Sequence, residues 1–266
     1  MRRFAGAALP VASIVGAGLF LWPFLGIGRP AASAAAAFAI GTAVALAAVE
    51  LAAGRLDTRR LALLAALCAI DAAARAVVVT GIGGFSPIFL LILCGGYVFG
   101  AEYGFLLGAT TMLVSALVTG GLGPWLPYQL FAVGWVGAIA GFAGRRRRGR
   151  PTRRDVVVLA AVGIVTGYGF GAAMDVWNWT FYQSSPGLGF TAGLPVVQAL
   201  AHFGRFYAVT SAVYDTFRAV GNAVMVAVLG LPVLVALARL RARLDVSVEV
   251  ADDAVDGEVA AVERVV

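Results

Sequence analysis

Apolar residues along the chain gather into eight runs, at residues 9–27, 32–53, 61–80, 86–100, 104–120, 127–144, 156–177 and 206–238, interrupted by turn residues or arginines. A helix needs roughly 20 residues to cross the hydrocarbon of a bilayer, within a working range of about 17–25. The pattern therefore predicts an all-α polytopic membrane protein. The runs at 86–100 and 104–120 are the short ones, and only Ala101, Glu102 and Tyr103 lie between them. They predict a tight helical hairpin packed inside a bundle, in which Gly95, Gly96, Gly100, Gly104 and Gly108 let backbones approach closely.

Composition sharpens this picture by exclusion. Of 266 residues, 61% are hydrophobic and 13% charged, with a mean hydropathy of +0.91; soluble chains run nearer ~45–50% and ~25%. No polar shell is left to wrap a water-soluble core. All 20 basic residues are arginine and His202 is the only histidine. A Walker lysine, a Schiff-base lysine and a two-histidine metal site are thereby excluded. Cys68 and Cys94 fall in separate apolar runs without CxxC spacing, and read as small buried hydrophobes. Neither a metal nor a cofactor is expected.

Arginine placement sets an orientation, because cytoplasmic loops carry the excess of basic residues. Arg2 and Arg3, Arg55, Arg59 and Arg60, the cluster from Arg145 to Arg154, and Arg239, Arg241 and Arg243 fall on alternate loops and hence on one side, 15 in all. The other side has Arg29 and Arg205. Both termini are expected in the cytoplasm. In isolation the 145–154 cluster resembles a nucleic-acid patch; between two membrane helices it reads as a topology anchor that also meets anionic lipid. Residues 1–55 supply two N-terminal transmembrane helices, although the first, ahead of Pro30-Ala31-Ala32-Ser33-Ala34, also has the outline of a signal peptide. Residues 56–244 form the core. Residues 245–266 carry seven acids and one arginine, the composition of a disordered cytoplasmic tail.

Ionisable residues inside membrane helices mark function, since each costs about 2.5–3.5 kcal/mol at the helix centre and tends to face a cavity or a partner. Asp71, Arg75, Asp175, Asp215 and Arg218 stand out. Asp71 and Arg75 are four residues apart and Asp215 and Arg218 three apart, so each pair is placed to neutralise itself along one helical face. Asn222, one turn beyond Arg218, extends the second pair into a polar stripe that begins at Tyr207 and Tyr214 and suits the wall of a ligand cavity. Trp125, Tyr128 and Gln129 on one outer segment, and Trp177, Asn178 and Tyr182 on another, combine aromatic rings with amides beside flexible glycines. They suit a rim over that stripe, although Trp and Tyr at this height also serve as interfacial anchors. Ala65, Ala69 and Ala73 recur every fourth residue on the helix at 61–80. Such a row permits close helix approach, either within the bundle or to a partner.

The chain resembles the substrate-binding S components of energy-coupling factor (ECF) vitamin transporters. The resemblance covers residues 56–244 and rests on the Ala65, Ala69, Ala73 row, on Pro87-Ile88-Phe89-Leu90 through Gly95-Gly96-Tyr97-Val98-Phe99-Gly100, on Gly104-Phe105-Leu106-Leu107-Gly108, and most specifically on Thr119-Gly120-Gly121-Leu122-Gly123-Pro124-Trp125-Leu126-Pro127-Tyr128-Gln129. It implies a six-helix core here preceded by two N-terminal helices, a vitamin held near the outer side, and an alanine row that meets a membrane-embedded coupling subunit. It also implies two separate ABC-type ATPase subunits, a bacterial plasma-membrane location and no catalytic activity of the chain's own. The actinobacterial members assigned to cobalamin uptake are the most similar, with a corrinoid as the implied ligand. His202 is placed either toward that ligand or at the interface. The alternatives are a self-sufficient secondary transporter, for which internal repeats and interrupted helices are the usual mark, and an intramembrane enzyme. The latter calls for clustered carboxylates around Mg²⁺, whereas Asp71, Asp175 and Asp215 lie singly on three helices.

Overall fold

The computed structural model describes residues 8–25, 56–77, 86–147, 149–183 and 185–263, with side chains defined as far as Leu244. Every regular element among them is helical: α1 (Ala8–Leu21), continued by a 3₁₀ turn (Trp22–Phe24), α2 (Thr58–Val77), α3 (Ile88–Phe99), α4 (Ala101–Thr119), α5 (Leu126–Gly144), α6 (Arg153–Trp179), α7 (Val196–Thr210) and α8 (Ala212–Glu263). The run at 32–53 lies outside the described residues. Four helices, α4, α5, α6 and α8 as far as Leu244, are long and apolar enough to cross a membrane. Their outward faces carry Val118, Phe142, Val157, Val165, Phe217, Val224 and Val228, all exposed. A protein with such faces belongs in a bilayer, whose hydrocarbon is as apolar as the side chains it meets. The 12 residues of α3 reach only about 18 Å, too little to span alone, and α3 is instead enclosed by its neighbours.

Helix ends follow local chemistry. Gly120 takes a left-handed backbone (φ 69°) to close α4, a conformation that Gly adopts without a Cβ penalty. Pro127 sits in the first turn of α5, where its missing N–H costs nothing. Asp155 Oδ2 accepts both the backbone N–H and the hydroxyl of Thr152 at the start of α6, a capping box.

The core is built on backbone proximity. A Cβ added at Gly96 or Gly104 would run into the Gly137 carbonyl, one at Gly108 into that of Val133, and one at Gly144 into that of Tyr97. The expected hairpin therefore exists as α3 and α4, and its glycines approach a third helix, α5. On α6, Gly163, Gly167 and Gly171 face Asn222, Ala219 and Asp215 of α8, a GxxxGxxxG row serving a second close helix pair.

One element differs from the sequence reading. The run expected as one helix from 206 to 238 breaks at Ser211, where φ reaches −128°. Thr210 there turns its hydroxyl back to the Phe206 carbonyl, a local bond that competes with the helix. The result is a separate amphipathic helix, α7, burying Ala199 and Phe206. Beyond Asp245 the chain continues as helix to Glu263. Extending an existing helix avoids the nucleation cost that an isolated segment meets.

The two ends of the bundle are chemically distinct. At one, Arg60 and Arg241 line a cavity of about 180 Å³ with Phe99, Glu102 and Tyr103, Arg241 donates to the Val98 carbonyl, and the arginines of the α5–α6 connection surround Tyr97 and Asp155. At the other, aromatic rings from α1, α5, α6 and α7 meet.

Candidate functional site

The polar stripe starts on α8. Asp215, Arg218 and Asn222 are buried, and Arg218 donates to Asp215 Oδ1. The guanidinium lies 5.1 Å from the centre of the Phe170 ring and 5.2 Å from that of Tyr214, so two π-faces help to replace its lost hydration. Asn222 donates to the Gly163 carbonyl at 3.2 Å. These contacts are possible only because glycines occupy the facing row of α6; a side chain at Gly171 would displace the Asp215 carboxylate.

Asp175 joins this group from α6, buried and close enough to Asp215 to feel its charge. The sequence placed these carboxylates singly on their helices, and the fold brings two of them to one polar centre. Tyr207 of α7 also faces Asp215; burial first, and then that carboxylate, push its hydroxyl well up from its ordinary range. The hydroxyl thus stays protonated and can donate. Ser211 and Tyr207 turn their hydroxyls toward Asp175 and Asp215, whereas Asn222 Oδ1 is buried without a hydrogen bond. A buried acceptor left without a partner costs about 1–3 kcal/mol. Asn222 Oδ1 and the two carboxylates place acceptors side by side at the meeting of α6 and α8.

The six rim residues divide. Tyr128 and Trp177 meet with ring centres 5.0 Å apart, which joins the two outer segments, but Tyr128 is only 4% exposed. Phe20 of α1 packs edge-on against it at 5.1 Å, and Trp22 approaches its hydroxyl at 3.5 Å. Asn178 is exposed and reaches back to Asp175 Oδ1 at 3.5 Å, linking rim to stripe. Trp125 and Tyr182 stand exposed, Trp125 bonded to the Gly121 carbonyl and Tyr182 beside Ser185 and the Phe206 ring. Gln129 is half-buried at the start of α5.

Sequence reasoning missed the centre of this outer layer. Trp179 is fully buried, bonded to the Leu188 carbonyl at 2.8 Å and surrounded by Phe24, Phe190 and Phe203. The 180–195 loop is drawn over it: Phe190 donates its N–H to the Tyr182 carbonyl, and His202 and Arg205 of α7 hold the carbonyls of Gly189 and Gly187. His202 is thus a loop tether. The one available signal was spacing, since Trp177 and Trp179, two residues apart, must point to different faces of a helix.

The first charged pair behaves differently from the second. Arg75 does not bind Asp71; it crosses to α4, donating to Ser115 Oγ at 2.9 Å beside the Met112 sulfur. Asp71 is 1% exposed, and its Oδ2 has no hydrogen bond. On the opposite face of α2, Ala65, Ala69 and Ala73 are exposed together with Leu61 and Ile70. Among the described residues no group of three or more His, Cys, Asp or Glu side chains is placed to hold a metal ion.

The chain matches no known protein-family model, and no curated protein or solved structure is significantly similar to it.

Proposed function

We propose that this chain is the substrate-binding membrane subunit of an ATP-driven ECF importer for a vitamin or vitamin-like micronutrient, with cobalamin or a related corrinoid as its cargo. On this reading α2–α6 and α8 form the six-helix core, residues 1–55 precede it as two further helices, and α7 braces the outer loop. The chain sits in a bacterial plasma membrane with its arginine-rich end and both termini in the cytoplasm. Its partners are a membrane-embedded coupling subunit and two ABC-type ATPase subunits. The observation that carries the reading is the exposure of Ala65, Ala69 and Ala73 on the outward face of α2. A row of small residues turned away from its own bundle supports a second helix docking there, where lipid removes the hydrophobic drive and close packing supplies the attraction.

The cargo would enter at the aromatic end and meet the stripe of Asp175, Asp215, Arg218 and Asn222 once the rings around Trp179 part. Arg218 retains donors that one carboxylate does not saturate, and the unsatisfied Asn222 Oδ1 complements a ligand rich in amides. Two measurements test the proposal. Tagged protein purified from its host should bring down a coupling subunit with an ATPase pair, and Ala69→Phe should abolish that co-isolation while leaving vitamin binding by the isolated chain intact. Equilibrium dialysis against a panel of B vitamins should show retention of cobalamin. Isolation of the chain alone, with full transport in vesicles lacking ATP, would instead establish a self-sufficient secondary transporter. That second reading is favoured by Asp71, a buried carboxylate with an unpaired oxygen suited to carrying a proton or a cation.

A further inference from the structure

The seam between α5 and α6 is lined in two ways along its length. In its apolar stretch, a groove of about 180 Å³ is walled by Trp135, Ile139, Val165, Gly169, Phe170 and Ala173, among others. One polar side chain enters it, Thr166, whose hydroxyl is turned back to the Val162 carbonyl. Further along the same two helices, a cavity of about 310 Å³ opens among Arg146, Arg147, Arg150 and Arg154, with Tyr97 and Thr152. Val158 of that cavity and Val165 of the groove lie two turns apart on α6, about 10 Å.

The charge in the cavity is unbalanced. Asp155 is its one acid, and it is already engaged by Thr152 and the Tyr97 hydroxyl. Arg147 bonds the Gly149 carbonyl, whereas Arg146, Arg150 and Arg154 stand exposed around the opening. An apolar trough in line with a cluster of exposed guanidinium groups has the form of one amphiphile, an acyl chain ending in an anionic phosphate. Arginine forks match phosphate oxygens, and basic pockets at the ends of membrane helices bind anionic head groups.

We infer that the α5–α6 seam is a binding site for an anionic phospholipid of the surrounding membrane, its phosphate held by Arg146, Arg150 and Arg154 and one acyl chain lying along the groove past Gly169. The inference is independent of the vitamin-import reading. Gly169 supplies a clean test, since a Cβ built there meets nothing within 4 Å, and Gly169→Leu would direct its larger side chain into that open space.

The full-length protein in detergent would be titrated with phosphatidylglycerol, with phosphatidylcholine, and with soluble glycerol phosphate, and bound lipid counted by native mass spectrometry alongside a thermal-unfolding curve. The parent should retain phosphatidylglycerol in preference to phosphatidylcholine and raise its midpoint only with the former. R146Q/R150Q/R154Q should weaken that retention on the order of a hundredfold. Gly169→Leu should lose it while unfolding normally without lipid. Equal retention of both lipids by the parent overturns the site, as does Gly169→Leu holding phosphatidylglycerol as well as the parent. Glycerol phosphate binding as tightly as the lipid means a site for free phosphate. A midpoint lowered by Gly169→Leu in lipid-free detergent means that the groove is already filled in the protein without lipid. Either result also sets the inference aside.

Discussion

Arg218 has exchanged its hydration for one carboxylate and two aromatic faces, and Asp215 depends on it in turn. Removing one member of a buried pair leaves the other charge uncompensated, at a cost of about 3–5 kcal/mol, whereas replacing both by apolar groups of similar size is often close to neutral. Asp215→Leu and Arg218→Met should therefore each lower stability by about 3–5 kcal/mol, and the double variant should recover most of the loss. Denaturation in detergent reads this directly; additive losses would mean the two side chains are not energetically coupled. The rim demands a different choice of residue. Truncating Tyr128 opens a cavity among Phe20, Trp22 and Trp177 and would cost about 3–5 kcal/mol of folding, which obscures any effect on a ligand. Asn178 is exposed, so on the proposed importer reading Asn178→Ala should weaken ligand binding with little change in unfolding midpoint, and unchanged binding by the folded variant would move the site elsewhere. The stripe was legible in the sequence because charge inside an apolar run is conspicuous. The burial of Tyr128 and Trp179 was not, because the rings that cover them come from α1, the 180–195 loop and α7, and no local spacing announces such a contact. Asp71 and Arg75 show the same limit: four-residue spacing placed them on one face, but Ser115 on α4 offered the guanidinium a partner that α2 alone does not reveal.

At the level of helices, the spacing of glycines foretold close packing without naming the partners. Gly96, Gly104 and Gly108 could have met any neighbour; the fold gives them α5. Whether a glycine is structural is decided by what a methyl group would meet. Gly137→Ala would drive a Cβ into the Gly104 carbonyl and should cost at least the ~1–3 kcal/mol typical of overpacking. Gly204→Ala on α7 meets nothing within 4 Å and should stabilise by about 0.4–1 kcal/mol through the unfolded chain. A pair of thermal melts checks both signs, and equal responses would refute the assigned α4–α5 contact. The break at Ser211 escaped the hydropathy pattern because the residues on both sides are apolar: Val209 and Val213 are both exposed, one on each helix. Hydropathy does not distinguish a continuous helix from two that share an apolar surface. Only the hydroxyls of Thr210 and Ser211 marked the place.

For the whole molecule, the arginine count separates the two ends and the fold gathers them accordingly, with Arg60, Arg147, Arg154 and Arg241 at one end and the aromatic layer at the other. An impermeant maleimide should label Arg150→Cys only in inverted vesicles and Thr191→Cys only in intact cells, and labelling of both from one side would break the topology. This experiment benefits from Cys68 and Cys94, which are 2% and 0% exposed within the packed helices. The parent chain is accordingly a blank for thiol reagents, so each introduced cysteine reports on its own position without first stripping out the native pair. The same enclosure turns the two native sulfurs into a clock: any label the unmodified protein acquires over hours in detergent counts the rate at which its interior opens.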